Sequence, residues 1–112
     1  MTELLNTLKA LSDETRLSLV KLLLQHNYCV GALSKQLNIS KSAVSQHLKI
    51  LRVAEIVKGE KRGYYTHYFV NRELLKDTAS KIVELSNLDP AGKGCTKKMS
   101  DGKTCCSKED LN

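Results

Sequence analysis

Residues 30–53, VGALSKQLNISKSAVSQHLKILRV, leave this chain few choices of fold. Leu33 and Leu37 fall four apart and mark one short helix, Val30 to Leu37. Asn38-Ile39-Ser40 then makes a tight turn, and Ser40 is a good N-cap for a helix from Lys41 to about Val53. Val44, Leu48 and Leu51 lie at i, i+4 and i+7 of that helix and form its inward stripe. Two short amphipathic helices about a tight turn predict a helix-turn-helix, whose apolar faces need further elements to cover them.

The rest of the chain supplies those elements. In residues 3–11, Leu4, Leu5, Leu8 and Leu11 share one helical face. Ser12-Asp13-Glu14 reads as the next helix start, a capping hydroxyl followed by acids that suit the helix dipole. This second helix runs to about Gln25, with Leu17, Val20 and Leu24 as its inward stripe. From Ala54 to Val70 the apolar period falls to two. AEIVKG and YYTHYFV predict a hairpin around Glu60-Lys61-Arg62-Gly63, with Gly63 in a left-handed loop position. Arg72 to Asn87 returns to helix, with Leu75, Ala79, Ile82 and Leu85 three or four apart, and Asp89-Pro90 ends it. The expected fold is mainly α with a two-stranded β wing, a winged helix-turn-helix. Residues 1–89 are expected to form this winged helix-turn-helix domain and residues 90–112 a flexible, cysteine-containing tail too polar to build a core.

The outward side of the Lys41–Val53 helix carries Ser42, Ser45, Gln46 and Lys49 at i, i+3, i+4 and i+7. Short hydrogen-bonding arms and one cation suit a helix that enters a DNA major groove: Gln pairs with adenine, Ser reaches either kind of base edge, and Lys reaches guanine or phosphate. Lys41 begins this helix, and His47 lies beside the apolar stripe as a packing or DNA-facing residue. Lys58, Lys61 and Arg62 cluster at the expected hairpin tip, placed for phosphates or a minor groove. Between Lys35 and Arg72, eight Lys or Arg face only Glu55 and Glu60, a surplus of six that equals the net charge of the whole 112-residue chain. Positive charge concentrated on the reading unit is an electrostatic footprint for nucleic acid.

Other classes fit poorly. The chain has no Cys-x-x-Cys at a helix start, no Gly-rich phosphate loop, and no nucleophile and base in motif spacing, so no enzyme is expected. No apolar run reaches the ~18 residues of a membrane span. The first residues, MTELLNTLKALSDETRL, do not read as a signal peptide, which makes the reducing cytoplasm the expected compartment. There, clustered thiols point to metal binding or redox chemistry rather than to structural disulfides.

ALSDETRLSLVKLLL, LSKQLNISKSAVSQHLKILRVAEIV and KGEKRGYYTHYFV resemble the arsenic-repressor (ArsR/SmtB) family of bacterial winged-helix transcription factors, over about residues 3–88. The resemblance implies a homodimer joined by its first and last helices, bound to an operator when ligand-free and released when a metal, metalloid or other inducer binds. Many arsenite-sensing members carry Cys-Val-Cys-Asp at the start of the helix-turn-helix. Here the matching stretch is Cys29-Val30-Gly31-Ala32, which keeps only the first cysteine. Other members bind zinc or nickel through His and carboxylates on the last helix, yet no histidine lies between Arg72 and Asn87. His26 and His67 read as surface residues. Some arsenic sensors of the family carry ligands near the C-terminus, including an adjacent pair.

That leaves Cys95, Cys105 and Cys106, in GCTKKMSDGKTCC, as the expected sensor. Three thiolates select a soft, thiophilic ion, and trivalent arsenic prefers three sulfurs in a pyramid. The inducer is then arsenite, with no metal needed for folding. Cys29 reads either as a packed cysteine or as a fourth ligand. Thiol-redox or persulfide sensing, and sensing of cadmium, lead or methylarsenite, are alternatives on the same fold.

Overall fold

A computed structural model describes residues 2–90, so Cys95, Cys105 and Cys106 lie outside the described residues. The chain divides into two units, Met1–Lys81 and Ile82–Asn112. Among the described residues the order is α1 (Thr2–Leu11), α2 (Glu14–Gln25), α3 (Val30–Leu37), α4 (Lys41–Val53), β1 (Val57–Arg62), β2 (Tyr65–Val70) and α5 (Arg72–Ser86). The two strands form one antiparallel sheet. This is a winged helix-turn-helix.

The core of the first unit is built around Leu19 and Leu23 of α2, Leu33 of α3, Val44, Leu48 and Leu51 of α4, and Ile56, Val57 and Val70 at the base of the wing. Leu19, Leu33 and Leu51 have no exposed surface. Burial of each such side chain is worth about 1.5–3 kcal/mol, which is why short helices that would be marginal alone persist here.

Both helix-turn-helix elements occupy their expected spans. The Ser40 hydroxyl accepts from the N–H of Ala43 at 3.0 Å and caps α4. Asn38 closes α3 in the left-handed conformation, φ 56°, a position that asparagine tolerates better than most residues. At the far end of α4, Glu55 is also left-handed, φ 65°. Its N–H donates to Arg52 O and the next N–H, of Ile56, donates to Leu51 O, the two bonds of a Schellman motif. Ile56 and Leu51 are both buried, which supplies the apolar contact that accompanies this motif.

Several local details differ from the sequence-based expectation. Asp13, not Ser12, caps α2, because its carboxylate accepts from the Arg16 N–H at 3.0 Å while the Ser12 hydroxyl turns back to Lys9 O. The buried face of α2 is Leu19, Val20 and Leu23, and Leu17 is 55% exposed. In α1, Leu4, Thr7 and Ala10 are buried, whereas Leu5 and Leu8 are exposed. The hairpin loop is Gly63-Tyr64, with Glu60, Lys61 and Arg62 inside β1. Gly63 takes φ 68° at the first loop position, where a two-residue hairpin turn favours glycine. In α5, which ends at Ser86, Thr78 is the buried residue, and Ile82, Val83 and Leu85 are exposed.

Candidate nucleic-acid interface

The exposed side of α4 presents Lys41, Ser42, Ser45, Gln46 and Lys49, while Val44, Leu48 and Leu51 anchor the opposite side in the core. No acidic residue lies in α4, and no ion pair holds Lys41 or Lys49 among the described residues. The helix therefore offers short donors and acceptors on a positively charged surface, held at a set depth by its buried stripe. α3 precedes it across the Asn38–Ser40 turn, where the Ser34 hydroxyl donates to Ile39 O and tightens the corner.

His47 is placed apart from the other α4 candidates. It follows Gln46 by one position, about 100° around the helix, and it is half-buried. Its Nδ1 lies 3.3 Å from Nη1 of Arg16 and 4.0 Å from the carboxylate of Asp13. The backbone N–H of Arg16 holds the Asp13 carboxyl below the usual carboxylate range, with a smaller contribution from the Arg16 guanidinium.

The wing divides its cations between two faces. Lys61 pairs with Thr66 on the same face as Gly59, Tyr68 and the buried Val57–Val70 pair. Lys58, Glu60 and Arg62 lie on the other face, opposite Phe69, His67 and Tyr65. Arg62 donates to Glu60 at 3.0 Å, an exposed pair that contributes little to stability and lowers the positive charge of that face. Tyr64 stands at the apex, 97% exposed, with Tyr65 beside it. The sequence reading missed this aromatic tip, although two adjacent tyrosines after Gly63 were a visible signal.

A further edge joins the wing to the helix-turn-helix. Tyr68 N–H donates to Tyr28 O at 3.0 Å, and Cys29 and His67 form an isolated antiparallel bridge. Cys29 is half-buried at the N-cap of α3, with no side-chain capping bond. Nδ1 of His67 is buried without a partner among the described residues, so His67 is not the surface residue expected, whereas His26 is exposed. Among the described residues, no three His, Cys, Asp or Glu side chains converge to hold a metal ion. An open apolar groove of about 410 Å³ runs along Leu11, Leu17, Val20, Leu24 and Leu75. No described helix is long and apolar enough to cross a membrane.

A helix-turn-helix with an outward polar face and a basic wing defines a DNA-binding protein of the winged-helix class. Comparison with known proteins agrees. The family described as "bacterial regulatory protein, arsR family" matches residues 13–58, from the α2 cap into β1. The transcriptional repressor SdpR of Bacillus subtilis is 33% identical over 82 residues, 73% of this chain and 91% of that protein. The arsenical resistance operon repressor of Staphylococcus xylosus is 33% identical over 101 residues, 90% of this chain and 95% of that one. Among solved structures, an ArsR-like transcriptional regulator from Rhodococcus sp. RHA1 superposes with a TM-score of 0.72 at 28% identity, covering 76% of this chain and 80% of that one. The chain belongs to the ArsR family of transcriptional regulators.

Proposed function

We propose that this protein is a repressor that binds operator DNA as a homodimer and releases it when trivalent arsenic binds Cys95, Cys105 and Cys106. One observation carries the DNA half of this reading: Ser42, Ser45, Gln46 and Lys49 are all exposed on one side of a helix whose other side is locked into the core. Exposed apolar side chains on α1 (Leu5, Leu8) and on α5 (Ile82, Val83, Leu85) favour a dimer, since a second copy gives each face a cover. The arsenic half rests on the donor set. Cys29 is the one cysteine among the described residues, and the three others are soft ligands in a single short segment. The similarity to an arsenical resistance repressor over most of both chains points the same way.

In a two-fold dimer the α4 helices meet successive major grooves about 34 Å apart, on an inverted repeat. Gel shifts over a salt series test this. Replacing Gln46 or Ser45 relaxes sequence preference, whereas replacing Lys61 or Arg62 weakens binding to all sequences and lowers the salt slope. Equal affinity of the intact chain for operator and random DNA refutes the reading.

For the inducer, a hundredfold loss of operator affinity corresponds to a coupling of about 2.7 kcal/mol, an ordinary allosteric magnitude. A chain cut after Asp89 still binds DNA but ignores arsenite, and Cys29→Ser stays inducible. The reverse pattern moves the sensor to the helix-turn-helix, and release by oxidant but not by arsenite makes it a redox sensor.

A further inference from the structure

The ALSDETRL stretch lies where α1, α2 and α4 meet, and Arg16 touches all three. Its Nε donates to Ala10 O in the last turn of α1 at 2.6 Å. Its backbone N–H is bonded to Asp13 at the start of α2. Its Nη1 reaches Nδ1 of His47, in the middle of α4, at 3.3 Å. A guanidinium stays protonated and has five donors and no acceptor, so this contact is a hydrogen bond when His47 Nδ1 accepts, the ring proton then being on Nε2.

We infer that Arg16 is a positioning residue for DNA reading: it joins the end of α1 to His47 and so sets the rotation of α4 about its own axis. The inference rests on the proposed reading of α4 as the DNA-facing helix. The apolar stripe Val44, Leu48, Leu51 holds α4 at its depth, but apolar packing is non-directional. A charge-assisted hydrogen bond is directional and adds an angular constraint. It acts on the flank of α4, about 100° from Gln46, and leaves the outward side chains unobstructed. Rotating α4 by even one-tenth of a turn would swing Ser45 and Gln46 away from the base edges they have to meet. Lysine cannot replace this arginine, because a single ammonium lacks the planar fork that reaches two acceptors in different helices.

The test uses the full chain, a duplex selected by the wild-type protein from a random pool, and an unselected duplex of equal length. Arg16→Lys keeps the charge and is expected to weaken binding to the selected duplex about tenfold. Its affinity for the unselected duplex stays within about twofold, because phosphate attraction is unchanged. His47→Asn retains an acceptor near the Nδ1 position and keeps affinity for the selected duplex within about threefold. His47→Leu falls as far as Arg16→Lys, and the double variant falls no further. In ¹⁵N spectra His47 of the wild type carries its proton on Nε2, and Arg16→Lys shows a mixture of tautomers. The inference is overturned if folded Arg16→Lys binds the selected duplex as the wild type does, or if wild-type His47 carries its proton on Nδ1. Should Arg16→Lys fail to fold, His47→Leu and the wild-type tautomer decide in the same two directions. A wild-type chain that selects no duplex overturns the reading of α4 and this inference with it, whereas the preceding results overturn only the role of Arg16.

Discussion

Gly59 stands opposite Tyr68 in the wing, and the tyrosine ring occupies the space a side chain at Gly59 would need: a Cβ there would lie 3.0 Å from Tyr68 Cε1 and 3.0 Å from Thr66 Cγ2. Tyr68 packs against the core and also donates its N–H to Tyr28, so it cannot move aside freely. Gly59→Ala is expected to destabilise the protein by about 1 kcal/mol and Gly59→Val by about 2–3 kcal/mol, through overpacking. Urea unfolding followed by circular dichroism reads both values, and equal midpoints for wild type and Gly59→Val would show that the ring yields.

Glu55 offers the opposite case. It holds a left-handed conformation at the Schellman end of α4, where a side chain has a cost and glycine has almost none. Its contacts there are made by backbone atoms, including the carbonyl that accepts from the Asn71 side chain. Glu55→Gly is therefore expected to stabilise by about 0.5–1 kcal/mol and Glu55→Val to destabilise by about 1 kcal/mol. The urea midpoint should shift while the slope stays constant.

Asp13 makes stability depend on acid pH. The Arg16 N–H bond lowers its carboxyl pKa, so the folded chain releases this proton more readily than the unfolded chain does. Between the folded and unfolded pKa values the unfolded state binds more protons, and stability rises with pH. The contribution is complete above the ordinary carboxylate pKa and is lost as pH falls through the lowered folded value. Asp13→Ala should melt below the wild type at about pH 7, and the gap should narrow as pH falls below the ordinary carboxylate range. Asp13→Asn keeps a capping acceptor, so its gap should be smaller at neutral pH and should fall by the same amount in acid, because neither variant carries the titrating carboxyl. An Asp13→Ala gap that persists in acid would contradict the assignment.

The proposed dimer makes a separate demand on α1. Leu5 and Leu8 are 52% and 37% exposed, so charge at these positions spares the core of the protomer. Leu5→Glu with Leu8→Glu should give a folded monomer at micromolar concentration and a large loss of affinity for an inverted repeat. Sedimentation equilibrium checks the first outcome and gel shifts the second. A double variant that remains dimeric would place the interface elsewhere.

The spans of α3 and α4 were legible in the sequence because their signals are local. A Ser40 cap, apolar residues three and four apart, and a polar turn all act within one or two helical turns. The outward face of α4 was legible for the same reason, since burying Val44, Leu48 and Leu51 turns Ser42, Ser45, Gln46 and Lys49 outward. Periodicity finds an apolar face but not which part of it meets a neighbour. In α1, Thr7 and Ala10 went inward and Leu5 and Leu8 stayed out. The hairpin loop moved to Gly63-Tyr64 because the buried Val57–Val70 pair sets the register, and counting outward from it leaves those two residues unpaired. Neither the left-handed Glu55 nor the Arg16–His47 bond carried any local mark. Glu55 is a residue that ordinarily avoids its conformation, and Arg16 and His47 are 31 positions apart. Contacts of that kind depend on how helices pack, which is decided by the whole core rather than by neighbours along the chain.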